Sequence, residues 1–251
     1  MSYRACAVIP VYNHGKTIAS VVARLHDHGL SCILVDDGSE PECARVLENL
    51  AQSDPAAIVL IRRQRNGGKG AAVDDGMHRA QALGYTHVLQ IDADGQHALG
   101  DVPAFLAASR DHPQSVICGA PIYGADMPRS RYYGRWLTHV WVWINTLSFE
   151  IRDAMCGFRL YPLASVIPVL EQHSTGQRMD FDIGVLVHLH WRRIPMRWIA
   201  TRVNYPRDGV SHFKLWRDNV LISRMHAMLF LGMLVRAPAL LSRRLSRKRV
   251  S

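Results

Sequence analysis

No CxxC pair occurs in this chain, and its five cysteines (Cys6, Cys32, Cys43, Cys118, Cys156) are scattered and odd in number. A structural zinc site or a disulfide framework is therefore not expected, and reduced thiols of a cytosolic protein are the simple reading. Neither GxxxxGK[ST] nor GxGxxG is present, so a Walker-type loop and a dinucleotide fingerprint have no support. There is no internal repeat, low-complexity tract or obvious interdomain linker. The start, MSYRACAVIPVYN, enters a strand-like run almost at once and holds no apolar signal core, so secretion is not expected. In the C-terminal stretch the longest uncharged apolar run, 225–235, is bounded by Arg224 and Arg236. It is shorter than the ~20 residues a spanning helix needs, so bilayer crossing is not expected. Acids are scarce: 21 Asp and Glu stand against 30 Lys and Arg, for a formal charge of +9. With 48% apolar and 20% charged residues the composition is globular, and its positive excess suits a phosphate-bearing partner: nucleotide, nucleic acid or anionic membrane.

What is present is a regular alternation. Residues 6–12 (CAVIPVY) read as a short buried strand, and 16–29 as a helix with apolar residues at helical spacing and a glycine stop. Residues 31–39 read as a strand ending in acids, followed by a helix with Pro41 in its first turn. A third strand is expected over 56–63, a glycine-led helix over 68–84 and a fourth strand over 86–94. Short connections between alternating strands and helices predict an α/β fold: a mostly parallel central sheet with helices on both faces. Ligands of such sheets bind beyond the carboxyl ends of the strands, where both acidic clusters fall. From about residue 121 the chain turns rich in arginine and aromatics. A largely helical 128–150, a helix from 179 and a strand near 195–206 are expected there.

The chemistry sits at those strand ends. Asp92 and Asp94 in DADGQH (92–97) offer carboxylate oxygens to Mg²⁺ or Mn²⁺, and Gln96 adds an amide oxygen; His97 is a weaker candidate. A solvated turn with ordinary acids gives the same Asp-x-Asp. Asp36 and Asp37 suit hydrogen bonds to a nucleobase or ribose, though Asp-Gly-Ser is also good turn chemistry. NGGKG (66–70) is a helix start whose glycines permit close backbone approach and whose Lys69 brings positive charge to a phosphate.

Taken in order, VIPVYN (8–13), VDDGS (35–39), NGGKG, DADGQH and CGFRLY (156–161) resemble the family 2 inverting glycosyltransferases of the glycosyltransferase A fold. The resemblance covers roughly residues 5–215. DADGQH and GFR look most like the dolichyl- or polyprenyl-phosphate mannose or glucose synthase branch.

That resemblance implies a nucleotide-binding Rossmann-like half followed by an acceptor half. Asp92, Asp94 and Gln96 would hold the metal on the diphosphate of a nucleotide-sugar. Pro10, Tyr12, Asp37 and Asp36 would border the nucleoside, with Lys69 near the base or phosphates. YPRDGVSHF (205–213) resembles an acceptor loop, and Arg207 with Arg129 or Arg131 would clamp phosphates. Asp153 and Arg159 would line the sugar pocket. In RMDFDIG, Asp180 is the first candidate base and Asp182 the second; either also serves as a helix cap, and a phosphate acceptor needs no base.

The expected organisation is a catalytic domain over 1–218 and, over 219–251, an apolar helix with a polybasic tail. Such a tail fits peripheral contact with an anionic membrane on its cytoplasmic face. The expected activity is metal-dependent transfer of a sugar from a GDP- or UDP-linked donor to a lipid-linked or other membrane-proximal acceptor, polyprenyl phosphate among them, in cell-wall or glycolipid synthesis. Two other readings compete. A sugar-nucleotide pyrophosphorylase would want a glycine-rich loop after the first strand, where only Gly15 stands. A nucleic-acid-binding module leaves the acidic strand ends unexplained, so no nucleic acid partner is expected.

Overall fold

The computed structural model describes residues 2–122, 129–203 and 215–248. Arg207, and the side chains of Arg129 and Arg131, lie outside the described residues.

Seven strands form one sheet. In chain order they are β1 (Ala5–Val11), β2 (Ser31–Asp36), β3 (Ile58–Arg62), β4 (His87–Gln90), β5 (Val116–Ile122), β6 (Arg159–Pro162) and β7 (Met196–Arg202). Their spatial order is β3-β2-β1-β4-β6-β5-β7. All pairings are parallel except those of β6, which runs antiparallel to β4 and β5. The mostly parallel α/β sheet expected from the alternation is thus present.

The two sides of β1 show why it forms a central strand. Cys6 and Val8 point into one apolar cluster, Ala7 and Ile9 into the other. Strands buried on both faces need such continuous apolar runs. Helices α1 (Ile18–Asp27), α2 (Pro41–Ser53) and α4 (Val102–Asp111) cover one face. On the other lie α3 (Lys69–Ala82), α5 (Arg129–Thr146), α6 (Leu163–Gln172), α7 (Phe181–Trp191) and α8 (Leu215–Lys248). In α1 the buried residues Ile18, Val21, Val22 and Leu25 follow the i, i+3, i+4, i+7 stripe. Gly29, at φ +74, then ends the helix, its N–H donating to the His26 carbonyl.

The C-terminal helix corrects one expectation. The apolar run between Arg224 and Arg236 is part of one helix from Leu215 to Lys248, a length of about 51 Å at 1.5 Å per residue. The segment Trp216–Arg243 is long and apolar enough, by length and composition, to cross a membrane, although only 22% of its most apolar window is buried in the protein. A helix accommodates isolated charges without ending. Arg236 donates to the Gly232 carbonyl and lies over the Trp191 ring, 4.6 Å from its centroid. The position 218/219 falls within the first turns of this helix. One face of α8, with Ile222, Met225, Leu229 and Met233, is buried in the cluster that includes Val142 of α5 and Leu189 of α7. His226 and Asn145 meet at 3.1 Å across the α5–α8 contact.

Candidate active site

Parallel pairing brings the carboxyl ends of β1, β2 and β4 to one edge of the sheet. Because β6 is antiparallel to β4, with Arg159 opposite Gln90, the residues just before β6 reach that same edge. DDG (36–38), DAD (92–94) and CGF (156–158) therefore converge there.

Asp37 is buried, and both its carboxylate oxygens are engaged. They accept from the backbone N–H groups of Gly67 (2.9 Å) and Gly68 (2.7 Å), and Arg63 Nε lies 3.1 Å from Oδ1. Burial nonetheless raises its pKa, outweighing these contacts. Asp36 accepts from the Ser39 N–H at 2.8 Å and lies 3.5 Å from Arg62. Pro10 pairs with Val35 across β1–β2, and Tyr12 follows the end of β1; both are half-buried.

The NGGKG loop is shaped by these contacts. Gly68 has φ +105, a left-handed conformation that favours glycine. A Cβ there would stand 2.4 Å from Arg178 Cγ, so the loop lies flat against residues 177–181. The Ala71 N–H, in the first turn of α3, donates to the Gln177 carbonyl at 3.0 Å. The glycines thus serve close contact with the 177–181 segment.

Lys69 forms the centre of the site. Its Nζ lies 2.6 Å from Asp92 Oδ1 and 2.9 Å from Asp182 Oδ2. Burial alone would lower the lysine pKa, but the Asp182 and Asp92 carboxylates outweigh it and hold the ammonium above its ordinary value. Burial likewise opposes ionisation of Asp92, yet Lys69 and His97 keep that carboxyl below the usual range. His97 Nε2 stands 3.3 Å from Asp92 Oδ2. Gly157 makes this packing possible: a Cβ there would lie 2.4 Å from Lys69 Nζ and 3.0 Å from Asp92 Oδ2.

Asp94 faces the opposite situation. Its Oδ1 accepts from the Gln96 N–H at 3.0 Å, but burial and then the charge of Asp92 push its pKa up. A carboxylate crowded by a like charge is relieved by a cation, so the pair fits a hard divalent ion, with Gln96 two residues on. Among the described residues no group of three or more His, Cys, Asp or Glu side chains is arranged to hold a metal.

The two acids expected as candidate bases are separated. Asp182, 4% exposed, accepts from Gln90 Nε2 at 2.8 Å in addition to its ion pair with Lys69. Asp180 precedes the first residue of α7 but makes no side-chain cap. Its Oδ1 accepts from the Arg178 N–H at 3.0 Å, and it lines a cavity against α8. Arg159 is placed away from the surface expected for a sugar contact. It is 0% exposed, and its Nη1 donates to the Asp182 carbonyl (2.6 Å) and the Tyr161 hydroxyl (3.1 Å). Asp153 is buried as well, bound to Arg135 at 2.6 Å, and accepts from the Met155 and Cys156 N–H groups.

The sequence does not single out Gln90 and Gly157 for these roles, and it offers His97 only as a weaker metal ligand. Gln90 carries a usable signal: a lone amide inside the apolar run HVLQI must find a buried polar partner. All five cysteines are buried and free.

This sheet, with acids gathered at one edge, is that of a glycosyltransferase A-type enzyme. The same fold is seen in glucosyl-3-phosphoglycerate synthase from Mycobacterium tuberculosis in complex with Mn²⁺, UDP and glucosyl-3-phosphoglycerate. The TM-score is 0.62 at 14% identity, over 92% of this chain and 80% of that one. The chain belongs to Glycosyl transferase family 2, whose family model matches residues 6–165. Its relatives include the UDP-N-acetylglucosamine–dolichyl-phosphate N-acetylglucosaminyltransferase of Methanococcus voltae, 24% identical over 80% of this chain and 87% of that protein. Another is the polyprenol monophosphomannose synthase of Mycolicibacterium smegmatis, 29% identical over 76% of this chain and 72% of that protein. The protein is a glycosyltransferase, and the nucleotidyltransferase and nucleic-acid readings are set aside.

Proposed function

We propose that the protein transfers a sugar, with inversion, from a GDP- or UDP-linked donor to a polyprenyl phosphate at the cytoplasmic face of a membrane, using Mg²⁺ or Mn²⁺. The observation that carries this reading is the Asp92–Lys69–Asp182 arrangement at the carboxyl end of β4, beside an Asp94 whose ionisation burial and Asp92 both oppose. Relatives with dolichyl-phosphate and polyprenol names support the acceptor.

Asp92, Asp94 and Gln96 would hold the ion, which supplies Lewis-acid stabilisation of the departing nucleoside diphosphate. Lys69 is a second, permanent cation beside Asp92. Asp37 fixes the backbone of Gly67 and Gly68 and so sets where Lys69 starts its helix. Pro10, Tyr12 and Asp36 border the nucleoside. Arg159 and Gln90 orient Asp182, which holds Lys69 together with Asp92. For an alcohol acceptor Asp180 is the carboxylate free of an ion pair with Lys69; a phosphate acceptor is already anionic and takes no base. Arg129, Arg131 and Arg207 complete the proposal as phosphate clamps. Residues 219–251 would lie along the membrane beside the catalytic unit.

The test is a thermal-shift panel of UDP, GDP and CDP with and without Mn²⁺. A ligand at a hundred times its dissociation constant adds about 2.7 kcal/mol to the stability of the native state. Metal-dependent stabilisation by one nucleotide is expected. No shift with any nucleotide and Mn²⁺, in a folded sample, overturns the reading.

A further inference from the structure

A cavity of about 350 Å³ lies between the 174–180 loop and the first turns of α8. One wall carries Arg178 and Asp180; the other carries Arg217, Leu221, Arg224 and Met228. These four helix residues fall at i, i+4, i+7 and i+11, so they form a single stripe along α8. Three arginines and one aspartate therefore line the cavity, and the aspartate Oδ1 accepts from the Arg178 N–H. Arg178 is fixed in place by Asn66, to whose Oδ1 its Nη1 donates at 3.1 Å. Arg217 and Arg224 are exposed.

The surroundings say what an occupant must look like. The buried face of α8 runs through Ile222, Met225, Leu229 and Met233. Turned away from it are Trp216, 85% exposed, Val220, Leu231 and Val235, 82% exposed. The arginine stripe lies on the flank between the two. A helix with an exposed apolar face and cations along its edge lies in the plane of a bilayer, with arginines reaching the phosphate level. Helix α5, packed beside α8, also exposes Trp136 and Leu137. Leu221 and Met228 alternate with the arginines inside the cavity, so it offers apolar contact as well as charge.

We propose that this cavity binds the phosphate group of an anionic bilayer lipid on the α8 side of Asp180, apart from the Asp92–Lys69–Asp182 centre. The lipid is recognised by charge complementarity to Arg178, Arg217 and Arg224, while its chains follow the exposed apolar face of α8. The proposal rests on the membrane-surface part of the proposed function but not on its transfer chemistry. The Arg178–Asn66 contact places this lipid three residues along the chain from Lys69.

The experiment is co-sedimentation of the full chain with phosphatidylcholine vesicles and with mixed phosphatidylcholine–phosphatidylglycerol vesicles. The Arg217→Lys/Arg224→Lys variant keeps the charge but not the forked donors that guanidinium offers to phosphate. We expect it to lose about tenfold in affinity for the mixed vesicles, with unchanged circular dichroism. Arg247→Gln/Lys248→Gln, which removes two charges from the tail, is expected to lose less. Equal or greater loss in the tail variant shows a diffuse surface field and overturns the site. Competition of vesicle binding by millimolar glycerol phosphate assigns the cavity to a soluble phosphate and overturns the lipid. A tenfold rise in KM for detergent-dispersed polyprenyl phosphate in the Lys variant assigns the cavity to the acceptor and likewise overturns the separate lipid site. Retained transfer in detergent alongside lost vesicle binding separates failure of this site from failure of the proposed function.

Discussion

Two groups of cations in this protein are built in opposite ways. Lys69 is enclosed, with both neighbouring carboxylates in contact and its side chain 15% exposed. Arg217 and Arg224 are exposed on α8 beside an apolar face. The first group has its geometry fixed before any ligand arrives, which suits chemistry that must hold a developing charge without reorganisation. The second is open and adaptable, which suits a fluid, variable partner. The +9 charge of the chain is thus divided between enclosed and exposed surroundings.

The sharpest way to break this contrast is Asp94→Asn. Asp94 carries a charge that burial and Asp92 both oppose, so the amide relieves repulsion within the folded protein. Thermal stability without ligand should rise slightly at neutral pH. Turnover should fall about 10²–10³-fold, the range seen when one preorganised electrostatic contact is removed. Metal-dependent nucleotide binding should go with it. Full activity in the variant would show that the Asp-x-Asp is structural.

Next in size is Gly157→Ala. The added methyl would stand 2.4 Å from Lys69 Nζ, so the ammonium must shift. A displacement near 1 Å at a positioned group costs about 10²-fold in rate. Steady-state kinetics should show that loss in kcat with the fold retained by circular dichroism. Unchanged kcat would mean that Lys69 takes a different position during transfer.

These expectations also show how far the residues can be read unaided. The first four strands are legible because parallel strands are apolar on both faces, and the acids that follow them mark the functional edge. β6 is hidden within CGFRLY, since its arginine reads as a surface or pocket residue. Burial of Arg159 depends on Asp182, which is 23 residues away and aligned with it only by the fold. The ion pair of Lys69 with Asp182 is hidden for the same reason. The extent of α8 is obscured at its arginines because a linear run treats each charge as a boundary, whereas a helix disperses charges around its circumference. Arg217 and Arg224 share a face with Leu221, not with the neighbours beside them in sequence.

A smaller effect concerns the connection between the two regions. Asp153 links Arg135 of α5 to the loop that carries Gly157. Burial opposes its charge, but His139 and Arg135 outweigh this and hold its pKa below the usual carboxylate range. A depressed pKa contributes stability that is complete above the unfolded-state value near 4 and is lost as pH falls through the folded one. Asp153→Asn should therefore lower stability at pH 7 by about 1.5–3 kcal/mol, the value of a hydrogen bond to a charged group. It should also weaken the fall in stability on acidification, measured by urea unfolding from pH 7 downward. An unaltered pH profile would show that α5 does not depend on this contact.

The smallest expected effect on the folded protein belongs to the other side of the comparison. Leu231 is 64% exposed and lies on the outward face of α8. Replacing it with aspartate removes little buried area, so stability should change by no more than about 0.5 kcal/mol. Exposed apolar area of this kind is maintained at a cost in solubility unless something covers it. A carboxylate placed in the middle of that face would have to enter the acyl region, against both the apolar medium and any anionic headgroups. Leu231→Asp should therefore leave the thermal midpoint and the detergent activity unchanged while releasing the protein from mixed phosphatidylcholine–phosphatidylglycerol vesicles. Loss of stability instead of vesicle binding would mean that this face packs against protein. The contrast would then lie between two interior sites, not between an interior and a membrane surface.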